Sequence, residues 1–278
     1  MNINETHCLQ LLRTADPDRY LSVLYAPEEK RGALAALYAF NTEIARIRDL
    51  IREPLPGEVR LQWWRDLVNG TEHGTASANP VAAALLEAIE RFDLPRDAFD
   101  RYCEARIFDF YDDPMPSRND LEGYCGETAS AMIQLASLIL DAGRASEFST
   151  GAGHAGVAQA TAGLLRLLPI HRSRGQVYIP VDILSAVGCK PEELIDGSNL
   201  PAARRAISAM VALAEEHFSK YQAAAGQMPA SLRPAYLPAR LTPVHLRQIK
   251  RMGERVMSEV AELSPLARHW TMLKASLG

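Results

Sequence analysis

Apolar residues along this chain recur at intervals of three and four, the spacing that lines up one side of an α-helix. In "PEEKRGALAALYAFNTEIARIRDLI" the residues Leu34, Leu37, Tyr38, Ile44 and Ile47 fall near one face. Pro27 suits a first helical position, and Glu28 and Glu29 favour a helix start. The same period predicts helices over Gly57–Gly70, Pro80–Phe92, Pro95–Tyr111, Asp120–Leu140, Gly153–Leu168, Pro201–Ala225 and Pro243–Leu263. Gly70 reads as a helix stop, and Thr242 before Pro243 as a cap pair. Alternation with period two is scarce. "QVYIPVDIL" (Gln176 to Leu184) is the one fair strand candidate, and Pro180 interrupts it.

The fold class this predicts is all-α: a single domain over residues 1–278 with short loops and no internal repeat. A chain of 278 residues at 47 % hydrophobic can bury a large core. Its net charge of −4 gives no general attraction to nucleic acid, so no nucleic-acid partner is expected. Cys8, Cys103, Cys125 and Cys189 lie far apart without a C-x-x-C pair, which reads as free thiols in a reducing compartment. The longest apolar runs, "ALAALYAF" and "AMIQLASLIL", are about half the ~20 residues a spanning helix needs. The start, "MNINETHCLQ", has neither a basic nor an apolar leader segment. A cytoplasmic location, with contact to the inner membrane limited to its periphery, is the expectation.

Few motifs suggest chemistry. "GAGHAG" (Gly151 to Gly156) matches a dinucleotide fingerprint, but it lacks a preceding strand and the acidic residue such sites need. It reads better as a helix start whose small residues let another helix come close. In "CEARIFDFYDDP", Asp109 and Asp113 are four apart and on a helix would share a face able to hold Mg²⁺. A solvated helix end is the simpler reading. Arg166, Arg172 and Arg174 make the surroundings of His171 cationic. In the last long helix Arg247, Lys250, Arg251 and Arg255 oppose Leu246, Ile249, Val256 and Val260, the pattern of a basic amphipathic helix.

Four segments in order resemble the squalene/phytoene synthase family: "YLSVLYAPEEKRGALAALYAF", "LQWWRDLV", "LEGYCGETAS" and "AGVAQATAGLLRLLPIHRSRGQVYIP". The resemblance spans roughly residues 17–190. It implies an isoprenoid synthase fold, a helical bundle around a central apolar cavity. It also implies head-to-head joining of two prenyl diphosphates with Mg²⁺, which neutralises the departing diphosphate. The family holds that metal on two D-x-x-x-D pairs, since a four-residue step puts both carboxylates on one helix face.

At those positions this chain departs from the family. The first pair reads Ala45 and Asp49, the second Leu167 and His171, so three of four carboxylates are absent. The family's Ser-Phe before the N-terminal tyrosine is Asp18-Arg19 here. Such loss, with a Pro-x-His-x-Ser-Arg stretch as in "LPIHRSRGQVYIP", resembles the branch that contains a mitochondrial assembly factor of respiratory complex I.

Three readings follow from the resemblance. One is a non-catalytic protein of complex I assembly, with complex I subunits or assembly intermediates as partners. Another is an Mg²⁺-dependent prenyltransferase using Asp109 and Asp113 with Asp49. The third is a carrier that holds a prenyl or phosphate-bearing lipid directly on cations. The first is favoured, with no cofactor and no metal expected. The cavity and anion-binding candidates are Arg46, Asp49, His171, Arg174 and Tyr178. Asp49 and His171 are expected to face one shared cavity, and an anion or an Asp49–arginine pair to occupy that place.

Overall fold

Side chains that satisfy the free backbone groups at helix starts, and prolines just inside them, set where the elements begin. In the computed structural model, which describes residues 1–71 and 78–277, Asn2 accepts from the Glu5 amide and Glu5 returns a bond to the Asn2 amide. This reciprocal cap opens α1 (Ile3–Ala15). Asp16 and Pro17 open α2 (Pro17–Leu24). The chain continues through α3 (Glu28–Ala45), α4 (Ile47–Leu50), α5 (Pro54–Asn69), α6 (Pro80–Phe92) and α7 (Arg96–Arg106). After these come α8 (Arg118–Cys125), α9 (Ala131–Ala145), α10 (Ser149–Arg166), α11 (Leu168–Ser173), α12 (Val181–Ala186) and α13 (Pro191–Asp196). The chain closes with α14 (Leu200–Ala225), α15 (Arg233–Tyr236), α16 (Thr242–Met252) and α17 (Pro265–Leu277). Among the described residues there is no strand, and the fold is all-α.

Differences from the sequence expectation have local causes. Pro27 precedes α3 rather than opening it, and Thr242 lies inside α16 with its hydroxyl capping nothing. The helix expected to reach Tyr111 ends at Arg106 and tightens into a 3₁₀ turn, Ile107–Phe110. The helix expected over Asp120–Leu140 is split by a π turn, Gly126–Ser130. Gly253, at φ +57°, stops α16 well short of Leu263. The strand candidate pairs with another extended segment through two bonds alone, both to Met115: its amide donates to the Val177 carbonyl, and the Val181 amide donates to the Met115 carbonyl. Pro180 has no N–H for a ladder and instead precedes α12.

Two large apolar clusters fill the interior. One joins α1, α3, α5, α6, α7 and α9, with Phe40 at its centre against Trp64, Phe99 and Tyr102 at ring distances of 5.1, 5.6 and 5.3 Å. The other joins α8, α10, α14 and α16. In α16 the apolar side, Leu246 and Ile249, is buried in that cluster, and Lys250 pairs with Glu215 at 2.6 Å. This helix is a core element with a solvated basic face.

The "GAGHAG" stretch lies within α10. A Cβ on Gly156 would come within 2.4 Å of the Ser130 backbone nitrogen, so only glycine permits this approach of α10 to the π turn. Ser130 Oγ donates to the Gly153 carbonyl at 3.0 Å across the same contact. All four cysteines are free and buried. Burial pushes the thiols of Cys8, Cys103 and Cys125 up to about 12, and raises that of Cys189.

Candidate functional site

A cavity of about 350 Å³ opens between elements that contribute to both clusters. Its walls are Asn41, Thr42 and Ala45 of α3, Gln159, Ala160, Gly163, Leu164 and Arg166 of α10 with Leu167 at its end, and residues of α2, α16 and α17. α3 and α10 face each other across this space, and α9 packs against both.

Both helices carrying the substituted acid pairs break at the pair: after Ala45 in the first, and at Leu167 itself in the second. α3 ends at Ala45 and α4 starts at Ile47; α10 ends at Arg166 and α11 starts at Leu168. Pro169, without an N–H, accounts for the second break. The four-residue step is interrupted between Ala45 and Asp49, whereas across the second pair the His171 amide still donates to the Leu167 carbonyl at 3.1 Å. Ala45 and Leu167 line the cavity, whereas Asp49, His171, Arg174 and Tyr178 do not. The expectation that Asp49 and His171 share it is corrected accordingly.

Asp49 pairs with Arg174 at 2.6 Å near the surface. His171 is packed against the Tyr178 ring at 4.6 Å. Burial there, with Arg174 adding to it against the pull of Asp109, lowers its pKa to about 4, so it is neutral at pH 7. It cannot serve as the cation expected of it. Arg46, in contrast, lines the cavity.

Asp109 and Asp113 are not brought together as an acid pair. Asp109 is buried in the 3₁₀ turn, and Asp113 is exposed in the loop after it. The Asp109 carboxylate accepts from Arg106 at 2.7 Å, Tyr124 at 2.8 Å and Tyr178 at 2.7 Å. Burial works against the Arg106 charge, but Tyr102, Tyr124 and Asp109 around it hold the guanidinium firmly protonated. Burial and the nearby Asp109 raise the Tyr178 and Tyr124 hydroxyls, which keeps both as donors. A carboxylate with three such donors is already satisfied.

The cavity is instead rich in arginine. Arg19, Arg46, Arg106, Arg166 and Arg268 face it, against Asp16 and Asp18. Of this set the sequence pointed to Arg46 as a cavity candidate; spacing did not assemble the five, because they come from five separate segments. Asp16 is bonded to Arg19 at 2.7 Å. Asp18 is bonded to Arg268, with Arg166 at 4.0 Å and His245 at 3.9 Å. Burial alone would raise the Asp18 carboxyl; His245, Arg268 and Arg166 outweigh it and hold the group below the usual range.

Arg46 has no carboxylate within 4 Å among the described residues. Arg166 Nε, His245 Nδ1 and Thr242 Oγ1, all on cavity-lining residues, are buried without a hydrogen-bond partner in the protein. Such groups call for an acceptor or donor in the space they face.

These residues do not fit a cluster of Mg²⁺ ions. Ala45 and Leu167 offer no ligand atom, Asp49 is turned to Arg174, and the two cavity carboxylates are held by arginines. Among the described residues no three His, Cys, Asp or Glu side chains are grouped to hold a metal. No helix among them is long and apolar enough to cross a membrane.

Comparison with known proteins agrees with this architecture. The model of the squalene/phytoene synthase family matches residues 12–272. The "NADH dehydrogenase (ubiquinone) complex I, assembly factor 6" of Rattus norvegicus is 29% identical over 246 residues, covering 88% of this chain and 74% of its own. The phytoene synthase of Thermus thermophilus is 28% identical over 201 residues, covering 70% of this chain and 66% of its own. A crystal structure of a dehydrosqualene synthase superposes with a TM-score of 0.79 at 16% identity, covering 99% of this chain and 95% of that one. The all-α fold is thus the isoprenoid synthase fold.

Proposed function

The chain belongs to the squalene/phytoene synthase family, and we propose that it is a non-catalytic member acting in respiratory complex I assembly, with a cavity that takes a phosphate-bearing prenyl lipid without Mg²⁺. One observation carries this reading: the two acid-pair positions that reach the cavity are Ala45 and Leu167, and the charge beside them is arginine.

Ionising a prenyl diphosphate requires strong stabilisation of the leaving anion, which paired carboxylates provide by holding divalent cations. Apolar side chains at those points hold no cation. Guanidinium groups bind phosphate oxygens directly through charge-assisted hydrogen bonds. Arg46 supplies positive charge with no acid within 4 Å among the described residues, and Arg166 Nε, His245 Nδ1 and Thr242 Oγ1 add unpaired polar atoms. Binding of this kind retains a diphosphate and does not drive its departure. The prenyltransferase alternative rests on Asp109 and Asp113, and an Asp109 already engaged by Arg106, Tyr124 and Tyr178 leaves it little support. The likeness to complex I assembly factors over most of the chain supports the assembly role and complex I intermediates as partners.

The test has two arms. Farnesyl diphosphate, with metal removed by chelator, should raise the melting temperature, and Arg46→Asp or Arg166→Gln should abolish the rise. Mg²⁺ with the same substrate should release no diphosphate. Turnover near 1 per second or faster would overturn the non-catalytic reading, and a missing thermal shift would overturn the lipid ligand while leaving the scaffold role. For the assembly role, cells lacking the protein should accumulate incomplete complex I on native gels; normal assembly would refute it.

A further inference from the structure

α17 presents a second feature, on the side away from the cavity. Leu266, Trp270, Leu273 and Leu277 are 80%, 56%, 41% and 79% exposed. Their spacing of four, three and four residues lines them up as one apolar stripe. The helix is nonetheless held in place. Met272 is fully buried with Leu21, Leu241 and Leu263, Arg268 is bonded to Asp18, and Arg233 donates to the Ser276 carbonyl at 3.4 Å. The stripe is therefore left over after the inner side has been packed.

We propose that this outer face of α17 docks on an anionic lipid surface. The charge beside the stripe selects this occupant. His269 and Lys274 flank it, and no Asp or Glu occurs anywhere in "PLARHWTMLKASL". Lys274 Nζ lies 4.9 Å from the Trp270 ring centroid. Tryptophan sits favourably at the level of lipid headgroups, and a lysine beside it reaches their phosphates. Thirteen residues are too few to cross a bilayer but suit a helix lying in its interface. The exposed Leu55 and Val59 of α5 make a contrast: they flank Glu58, whose charge an anionic surface repels.

The arrangement places lipid against one side of α17 and the cavity wall, through Arg268, on the other. It stands independently of what the cavity binds.

Flotation of the full chain with vesicles tests it, using phosphatidylcholine alone and an equal mixture with phosphatidylglycerol. The chain should float with the mixed vesicles, much less with phosphatidylcholine, and should dissociate as salt is raised. Trp270→Ala combined with Leu273→Ser should weaken binding by about tenfold or more, and Lys274→Glu by about fivefold or more. All these side chains are exposed, so melting temperatures should stay close to wild type. Brominated lipid should quench a tryptophan signal that Trp270→Ala removes, leaving Trp63 and Trp64 unquenched. Failure to float with mixed vesicles, or flotation that ignores these substitutions, overturns the proposal. A concentration-dependent dimer abolished by the same variants would also overturn it, since a second copy would then own the face.

Discussion

Arg174 donates to Asp49 across 2.6 Å, joining the turn after α11 to α4. The one acid retained from the two pairs is thus engaged by a cation of the chain itself. Because the pair is near the surface, Asp49→Ala and Arg174→Ala should each cost no more than about 1 kcal/mol in urea unfolding. The double variant should cost little more than either one. A single loss above about 2 kcal/mol would show that the pair holds the two segments together. Freeing Asp49 by Arg174→Ala should not create Mg²⁺ affinity, which titration calorimetry can check.

Gly156→Ala should destabilise by about 1–3 kcal/mol or more, since the new methyl meets the Ser130 backbone. Gly153→Ala in the same helix has nothing within 4 Å of the added carbon. It should be neutral or stabilise by up to about 1 kcal/mol through helix propensity alone. Equal effects at the two sites, measured by chemical unfolding, would deny the close approach.

His171 should remain uncharged well below neutral pH. Its folded pKa of about 4 lies under the unfolded value, so the unfolded state binds more protons between the two. The stability is fully present above roughly pH 6.5 and falls as pH drops toward 4, by at most about 3 kcal/mol. His171→Phe should flatten that slope. Proton NMR should find no His171 titration above pH 5 or so; a midpoint near 6.5 would sink the prediction.

Asp18 behaves as a carboxylate whose folded pKa is depressed. Its contribution is present above the unfolded value near 4 and drains away as pH falls through its own lower value. Asp18→Asn should cost about 2 kcal/mol or more at pH 7, because Arg268 and Arg166 lose their partner. The gap between wild type and variant should narrow below about pH 4. A gap constant down to pH 3 would contradict the assignment.

Most long helices were legible in the sequence because their buried side chains repeat at three and four, as in α3, α6 and α14. α1 escaped because only Cys8 and Leu12 are fully buried on it. α17 escaped for another reason: most of its large apolar residues face outward, and Met272 alone is buried. Of the site, Ala45 and Leu167 were readable because the resemblance supplied their positions. Asp49 and His171 came with them by an assumed unbroken helix, and the breaks at Arg46 and Leu167 undo that assumption. Arg19, Arg106, Arg166, His245 and Arg268 had no spacing to reveal them. Only the packing of distant segments brings them together.

The four buried cysteines give the protein a built-in clock for its own opening. A thiol near 12 carries almost no thiolate at pH 8, so alkylating reagents and peroxide have nothing to attack while the chain is folded. Labelling then counts excursions out of the native state. Cys8 reports on α1, Cys103 on α7 and Cys125 on the junction of α8 with the π turn, while Cys189 follows α12. Mass spectrometry of pulse-labelled chains would therefore separate parts that open singly from those that open together. Oxidants, for the same reason, would reach these thiols only after the chain has come apart around them.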